Sequence, residues 1–212
     1  MSAQGALPDG LIETLLWTRA DGYFLRDGHF DRIKNSAAAL GFAFSATDWD
    51  AALAQACAEP PAANLRVRLI LRADGAIETS TAPFTPEPEG KIWRVAISAT
   101  RFDSRDPLLR HKTTRRELYE DALAAARGAD EVVFLNERDE VCEGARTNIF
   151  VERDGALLTP PVSCGLLPGV LRANLLAQGK AQEEVLRLDD LRGEFLLGNS
   201  LRGFLRARLM VS

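Results

Sequence analysis

Apolar positions along the chain recur every second residue in some stretches and every third or fourth in others, with turn-forming residues between them. Leu11–Trp17 (LIETLLW) predicts a strand. Ala20–Gly22 predicts a turn into a second short strand at Tyr23–Leu25, making a hairpin. In His29–Gly41, Phe30, Ile33, Ala37 and Leu40 fall at helical spacing, and Gly41 is a natural stop. Thr47–Ala58 predicts another helix, capped by Thr47 or Asp48. Pro60 and Pro61 then break the chain. Leu65–Leu71 (LRVRLIL) alternates apolar residues with arginine, the pattern of a strand with one wet face, and Ile77–Thr81 is its expected hairpin partner across Ala73–Gly75.

Pro83–Gly90 is rich in proline and glutamate and reads as a linker. Beyond it, Ile92–Ser98 predicts a strand, Asp103–Leu109 a polar loop, and Thr113–Arg127 a helix with Leu118, Ala122, Ala125 and Ala126 on one face. Strands are expected at Val132–Asn136, Asn148–Glu152, Ala156–Thr159 and Glu194–Gly198, with a helix at Gly169–Gln178. The mixture predicts an α+β chain in two lobes, a small N-terminal lobe over residues 1–90 and a larger C-terminal lobe over 91–212.

Composition narrows the function classes. With 212 residues, 46% of them hydrophobic, the chain can bury a sizeable core. Its net charge of −4 is spread along the sequence with no basic stripe, which argues against a nucleic-acid partner. An anionic ligand would therefore rest on a few placed arginines or on backbone amides. Cys57, Cys142 and Cys164 have no metal-ligand spacing, and His29 and His111 are the only histidines, so no metal site is expected and the thiols read as buried and free in a reducing compartment. Met1–Asp9 lacks the basic and apolar regions of a signal peptide, and no apolar run reaches the roughly 18 residues of a membrane span. A cytoplasmic protein without a membrane partner is the expectation.

Four stretches carry candidate chemistry. Lys112, in RHKTTRRELYE, has His111, Arg110, Arg115 and Arg116 nearby, cations that would lower a lysine pKa toward a free amine. By itself a lysine at a helix start is normally a solvated surface residue. Glu143 lies in EGARTN between two apolar strands, a carboxylate among small residues that fits either a site or an ordinary turn. Pro168 and Gly169 open a helix whose first amides suit a phosphate, although Pro–Gly entries are common in any case. Gly198–Asn199–Ser200, following an apolar strand, offers a second backbone cradle or a plain loop.

Taken in order, LIETLLW, HFDRIKNSAAALGF, HKTTRRELY, DEVVFLNERDEVCEGARTNIFV, LLPGVLR and GNSLRG resemble the class IV aminotransferases, the fold-type IV enzymes of pyridoxal 5′-phosphate (PLP), over nearly the whole chain. ETL, HKTT, TNIF and GNSLRG are most similar to the aminodeoxychorismate lyase branch. The resemblance implies a D-amino acid aminotransferase-like fold, with a small α/β lobe and a larger pseudo-barrel lobe. It implies that Lys112 is the Schiff-base lysine and that Glu143 pairs with the pyridine nitrogen. Arg32, in the H-x-x-R pattern beginning at His29, would bind phosphate together with the amides of Val170 and Leu171 and with Asn199 and Ser200. Arg116 would lie near the cofactor, and Thr14 would assist proton transfer. Two departures stand out. Many members carry more chain before the LIET strand, so part of the small lobe is expected to be missing or replaced. Leu171 stands where many members have a threonine, which removes a hydroxyl contact to phosphate. The implied activity is conversion of 4-amino-4-deoxychorismate to 4-aminobenzoate and pyruvate in folate biosynthesis. The alternatives are a branched-chain or D-amino acid transaminase and an inactive scaffold. The implied partners are a small amino acid-like substrate and a second copy of the chain.

Overall fold

The structure, a computed structural model, describes residues 7–210. Residues 1–6 of the stretch read for a signal peptide lie outside them. The chain divides into two compact units: residues 1–85 with His111–Arg116, and residues 86–110 with Glu117–Ser212.

The first unit is a four-stranded antiparallel sheet covered on one face by two helices. Its elements are β1 (Gly10–Thr18), β2 (Gly22–Tyr23), α1 (Arg26–Leu40), α2 (Ala46–Ala56), β3 (Asn64–Arg72) and β4 (Ile77–Pro83), with strand order β2-β1-β3-β4. Alternation along β1 and β3 turns Leu11, Leu15, Leu65, Val67, Leu69 and Leu71 toward Ile33 and Ala37 of α1 and Trp49 and Leu53 of α2, and these residues form one core. The second strand of the hairpin is shorter than expected, because Leu25 takes a left-handed conformation (φ 51°) and leads directly into α1. Gly41 ends α1 in the same left-handed region, where a glycine carries no steric penalty. The cap of α2 is Ser45, and neither Thr47 nor Asp48. Its hydroxyl accepts the Asp48 amide one turn in, which places the helix start ahead of both.

The second unit is an eight-stranded mixed sheet. In chain order it contains β5 (Ile92–Phe102), α3 (Glu117–Ala125), β6 (Glu131–Asn136), β7 (Val141–Gly144), β8 (Asn148–Arg153), β9 (Ala156–Thr159), α4 (Val170–Ala177), β10 (Gln182–Glu183), β11 (Glu194–Asn199) and β12 (Gly203–Leu209). The strand order is β10-β9-β8-β11-β12-β5-β6-β7. Here β7 and β8 stand far apart in the order, yet three residues join them and the Gly144 amide donates to Thr147 O at 2.7 Å. The sheet is therefore curled, a half-barrel. Every residue of β6 is buried, as a run of EVVFLN without polar alternation requires. β5 runs past the expected Ser98 to Phe102 through a register shift between Ile97 and Arg101.

The largest difference from the sequence reading concerns Thr113–Arg127. The helix begins only at Glu117, because the backbone of residues 112–114 pairs with β1. Its inner face is Tyr119, Ala122 and Leu123, continued by Ala126 just past its end, and Leu118 is 43% exposed. Cys142 and Cys164 are buried free thiols, and burial raises the pKa of both. Cys57 is only half-buried, with Tyr23 Oη 3.0 Å from its sulfur. Among the described residues no cluster of ligands for a metal occurs, and no helix is long and apolar enough to cross a membrane.

Trp49 is fully buried beside Phe30 and Phe44. Trp49→Ala should cost about 3–5 kcal/mol of stability in urea denaturation. Ser45→Ala should cost only about 1 kcal/mol, since it removes a single exposed cap.

Candidate active site

In the first unit the site residues are built on β1. Only the far end of β1 is paired by β2, at Trp17 and Thr18, so its near end offers unpaired backbone groups. The lysine segment takes that edge. The Ile12 amide donates to Lys112 O at 2.7 Å, the Thr114 amide donates to Gly10 O at 2.9 Å, and Leu11 bridges Thr113. This register puts Lys112 opposite Ile12. Lys112 thus shares Ile12's side of β1, and so does Thr14 two residues on. Thr14 lies opposite Arg68 of β3. Lys112, Thr14 and Arg116 are all half-buried. Gly10 permits this packing, since a Cβ there would lie 2.8 Å from Ile70 Cγ2 and 3.2 Å from Thr114 Cγ2.

On the opposite, helix-covered side of β1 stands Glu13, 1% exposed between Leu11 and Leu15. Its Oε1 accepts from Arg32 Nε at 2.8 Å. Its Oε2 accepts from Arg32 Nη2 at 2.6 Å and lies 2.6 Å from His29 Nδ1. Burial opposes the Glu13 charge, but the Arg32 and His29 contacts outweigh it and hold the pKa down at about 2. His29 is fully buried, and burial is the main cause that lowers its pKa, with the charges of Arg32 and Lys112 adding to the effect. His29 is therefore neutral. A carboxylate can only accept, so the ring proton is on Nδ1, and Nε2 is buried with no hydrogen-bond partner among the described residues. Sequence reasoning used Arg32 and missed Glu13 as its partner. The signal was present: one acidic residue on the core face of an otherwise apolar strand.

In the second unit Glu143 is 5% exposed near the end of β7. Its Oε1 accepts from the Tyr119 hydroxyl at 2.9 Å and its Oε2 from the Leu167 amide at 3.1 Å. Leu167 O in turn accepts from Asn148 Nδ2 at 2.9 Å. Asn148 packs against Gly169, where a Cβ would lie 2.0 Å from Asn148 Oδ1, so this position demands glycine. Gly169 offers α4 no side-chain cap, and the first helical bond runs from Ala173 N to Gly169 O. The amides of Val170 and Leu171 are thus among the helix-start donors that lack an intrahelical acceptor. The side chain of Leu171 is buried and packs toward Gly198, where a Cβ would be 3.3 Å from Leu171 Cδ2.

Gly198 pairs with Asn148 across β11 and β8, which brings the Asn199–Ser200 turn to the same place. Asn199 Oδ1 accepts from the Leu201 and Arg202 amides at 3.1 and 2.8 Å, and its Nδ2 donates to Arg146 O at 3.0 Å. This side chain is occupied in shaping the turn. Ser200 beside it is buried. Three segments distant in sequence, the 143–148 stretch that carries Glu143 and Asn148, the Gly169 turn and the Gly198 turn, therefore converge within one unit. Behind them Glu131, fully buried, accepts from Arg146 N and Thr147 Oγ1 and pins the loop that carries Arg146 and Thr147. Burial raises its pKa.

The family model for Amino-transferase class IV matches residues 10–210. The chain belongs to this family and is an enzyme of it, with the α+β architecture of fold-type IV and the PLP dependence of the family. It is similar to a solved Mesorhizobium loti "Putative amino-acid aminotransferase", at 42% identity, covering 95% of this chain and 99% of that one with a TM-score of 0.90. It is 28% identical to a Schizosaccharomyces pombe protein named "Putative aminodeoxychorismate lyase", over 95% of this chain and 90% of that one. A solved Legionella pneumophila "Putative 4-amino-4-deoxychorismate lyase" is 25% identical, covering 96% and 84%, with a TM-score of 0.83.

The Glu13 cluster ties stability to pH. A carboxylate whose folded pKa is depressed stabilises the fold above its unfolded pKa, and that contribution fades as pH falls toward the folded value. For Glu13 the window runs from 4.5 down to about 2, and full ionisation contributes roughly 3 kcal/mol. His29, with a lowered pKa, acts in the same direction, opposing the fold once pH falls below 6.5. The stability advantage of the wild type over Glu13→Gln in urea melts should therefore be constant near neutrality and shrink as pH drops below about 4.5.

Proposed function

We propose that this chain is a PLP-dependent aminodeoxychorismate lyase, releasing 4-aminobenzoate and pyruvate from 4-amino-4-deoxychorismate in folate biosynthesis. The observation that carries the reading is the similarity to the Schizosaccharomyces pombe protein named for that activity, which runs through almost the full length of both chains.

The donors present match the three recognisable parts of PLP. Lys112 supplies the amine for its aldehyde. Glu143, buried and fixed by Tyr119 and Leu167, supplies the carboxylate for its ring nitrogen. The uncapped start of α4 at Val170 and Leu171, the Asn199–Ser200 turn and the Arg32 guanidinium supply donors for its phosphate. Asn199 contributes by holding the turn, since its own side chain is engaged with backbone groups. The absence of a hydroxyl at residue 171 leaves the contact there to the amide. When bound, PLP supplies an electron sink for charge developing at the substrate carbon that bears the amine. With the cofactor held there, Lys112 would take the proton from that carbon. Glu143 would hold the ring nitrogen protonated. Thr14, on Lys112's side of β1, assists the proton transfer that accompanies loss of pyruvate. Arg116 stands near the cofactor, a second copy of the chain completes a homodimer, and the enzyme works in the cytoplasm.

The second reading is an amino-acid transaminase using the same Lys112 and Glu143. The specific observation in its favour is the 42% identity to the Mesorhizobium loti structure. Incubation with 4-amino-4-deoxychorismate should yield 4-aminobenzoate and pyruvate by chromatography, at a rate exceeding keto acid formation from branched-chain or D-amino acids with 2-oxoglutarate. Keto acid formation without 4-aminobenzoate would establish the transaminase instead. Borohydride reduction followed by peptide mass spectrometry should find PLP attached to Lys112, and Lys112→Ala should lose both the adduct and turnover.

A further inference from the structure

The first unit contains one charged cluster whose cost the chemistry above does not explain. Glu13, Arg32 and His29 have side-chain exposures of 1%, 12% and 0%. Burying a carboxylate costs several kcal/mol and is repaid only by good geometry, and a well-packed apolar residue in its place is often as stable. Leu11 and Leu15, the neighbours of Glu13 on the same face, show that this core accepts leucine. Stability alone therefore gives no reason for a glutamate here.

The geometry supplies one. Arg32 meets Glu13 in the two-point mode, through Nε and Nη2. That contact fixes the guanidinium plane and its rotation. Nη1 is the nitrogen left over, and it makes no hydrogen bond to a described residue. On the other flank His29 Nδ1 donates to Glu13 Oε2, so the carboxylate is itself held between two elements, β1 carrying it and α1 carrying both partners. His29 cannot take over the charge of Arg32, being buried and neutral.

We infer that Glu13, braced by His29, is a positioning residue that locks the Arg32 guanidinium so that its remaining nitrogen, Nη1, is presented to a phosphate monoester. Under the reading above, on which this rests, that group is the 5′-phosphate of PLP. Ionised Glu13 cancels the charge of Arg32, so the pair offers direction more than net attraction. This separates the idea from simple electrostatics. Removing the Glu13 charge would strengthen anion binding if net charge ruled, and it weakens binding if orientation rules.

The test compares PLP with pyridoxal, which has the same aldehyde and ring nitrogen but no phosphate. Dissociation constants are taken from titration of the bound-aldehyde absorbance in wild type, Glu13→Gln, Arg32→Ala and the double variant. Glu13→Gln is expected to weaken PLP by about tenfold or more, the scale of one hydrogen bond to a charged group. Pyridoxal binding should stay nearly constant, so the ratio of the two falls. The double variant should be no worse than Arg32→Ala, because Glu13 acts through Arg32. A general loosening of the fold would weaken both aldehydes alike, and that result, or unchanged or tighter PLP binding, overturns the inference. Should Glu13→Gln fail to fold, Glu13→Asp keeps the charge and shortens its reach, and the same fall in the ratio is required of it. If the wild type binds neither aldehyde, the cofactor reading falls by itself. Inorganic phosphate then decides, through thermal stabilisation of the wild type that is lost in Glu13→Gln or Glu13→Asp if the inference holds and retained if it does not.

Discussion

The near end of β1 leaves a short row of backbone groups unpaired, and Lys112–Thr114 fills it. Two hydrogen bonds, from Ile12 to Lys112 O and from Thr114 to Gly10 O, fix the register of the segment bearing the lysine. Register in a sheet decides which side each residue faces, and a slip by one would move every side chain to the opposite face. With the observed register Lys112 joins Thr14 and Ile12 on one side, and Glu13 stays on the other in the core. The lysine's own sequence neighbours, Arg115 and Arg116 among them, do not set this arrangement. It comes from a strand a hundred positions earlier.

The second unit solves a different problem, bringing loops from three places to one. Asn148 is the pivot. Its amide nitrogen holds Leu167 O, its amide oxygen abuts Gly169, and its backbone sits opposite Gly198. A Cβ at residue 169 would lie 2.0 Å from Asn148 Oδ1, and one at residue 198 would lie 2.8 Å from Phe150 Cε2. The glycines at 169 and 198 are thus demanded by close approach, since both have backbone angles open to any residue. Glu143 is attached to the same construction through the Leu167 amide. A carboxylate buried this deeply and held at both oxygens is preorganised, which is what a charge-stabilising role requires.

Three buried glutamates in the two units share one feature. Glu13, Glu131 and Glu143 are each almost fully buried, and each is met by two or more donors. Their environments nevertheless differ. Glu13 faces a two-point arginine and its pKa falls. Glu131 has weaker partners, with Arg146 at 3.9 Å, and burial raises its pKa. Buried acids of one residue type are thus tuned in opposite directions by the strength of the charge beside them.

Local pattern alone determined most of the elements. Leu11–Trp17, Leu65–Leu71 and Val132–Asn136 are strands, and His29–Gly41 and Gly169–Gln178 contain helices, because side-chain periodicity and the glycine and proline stops act over a few residues. The motif order was enough to indicate the family, which the full-length match then showed. What only the tertiary structure decided were the contacts between distant segments. Thr113–Arg116 has helical composition but gives up the helix, since an open strand edge offers its backbone better partners. Leu171 points into the core beside Gly198, Asn199 spends its side chain on its own turn, and Arg32 is committed to Glu13. None of these could be read locally, because hydrogen bonding and close packing join groups by distance in space, and the sequence records only distance along the chain.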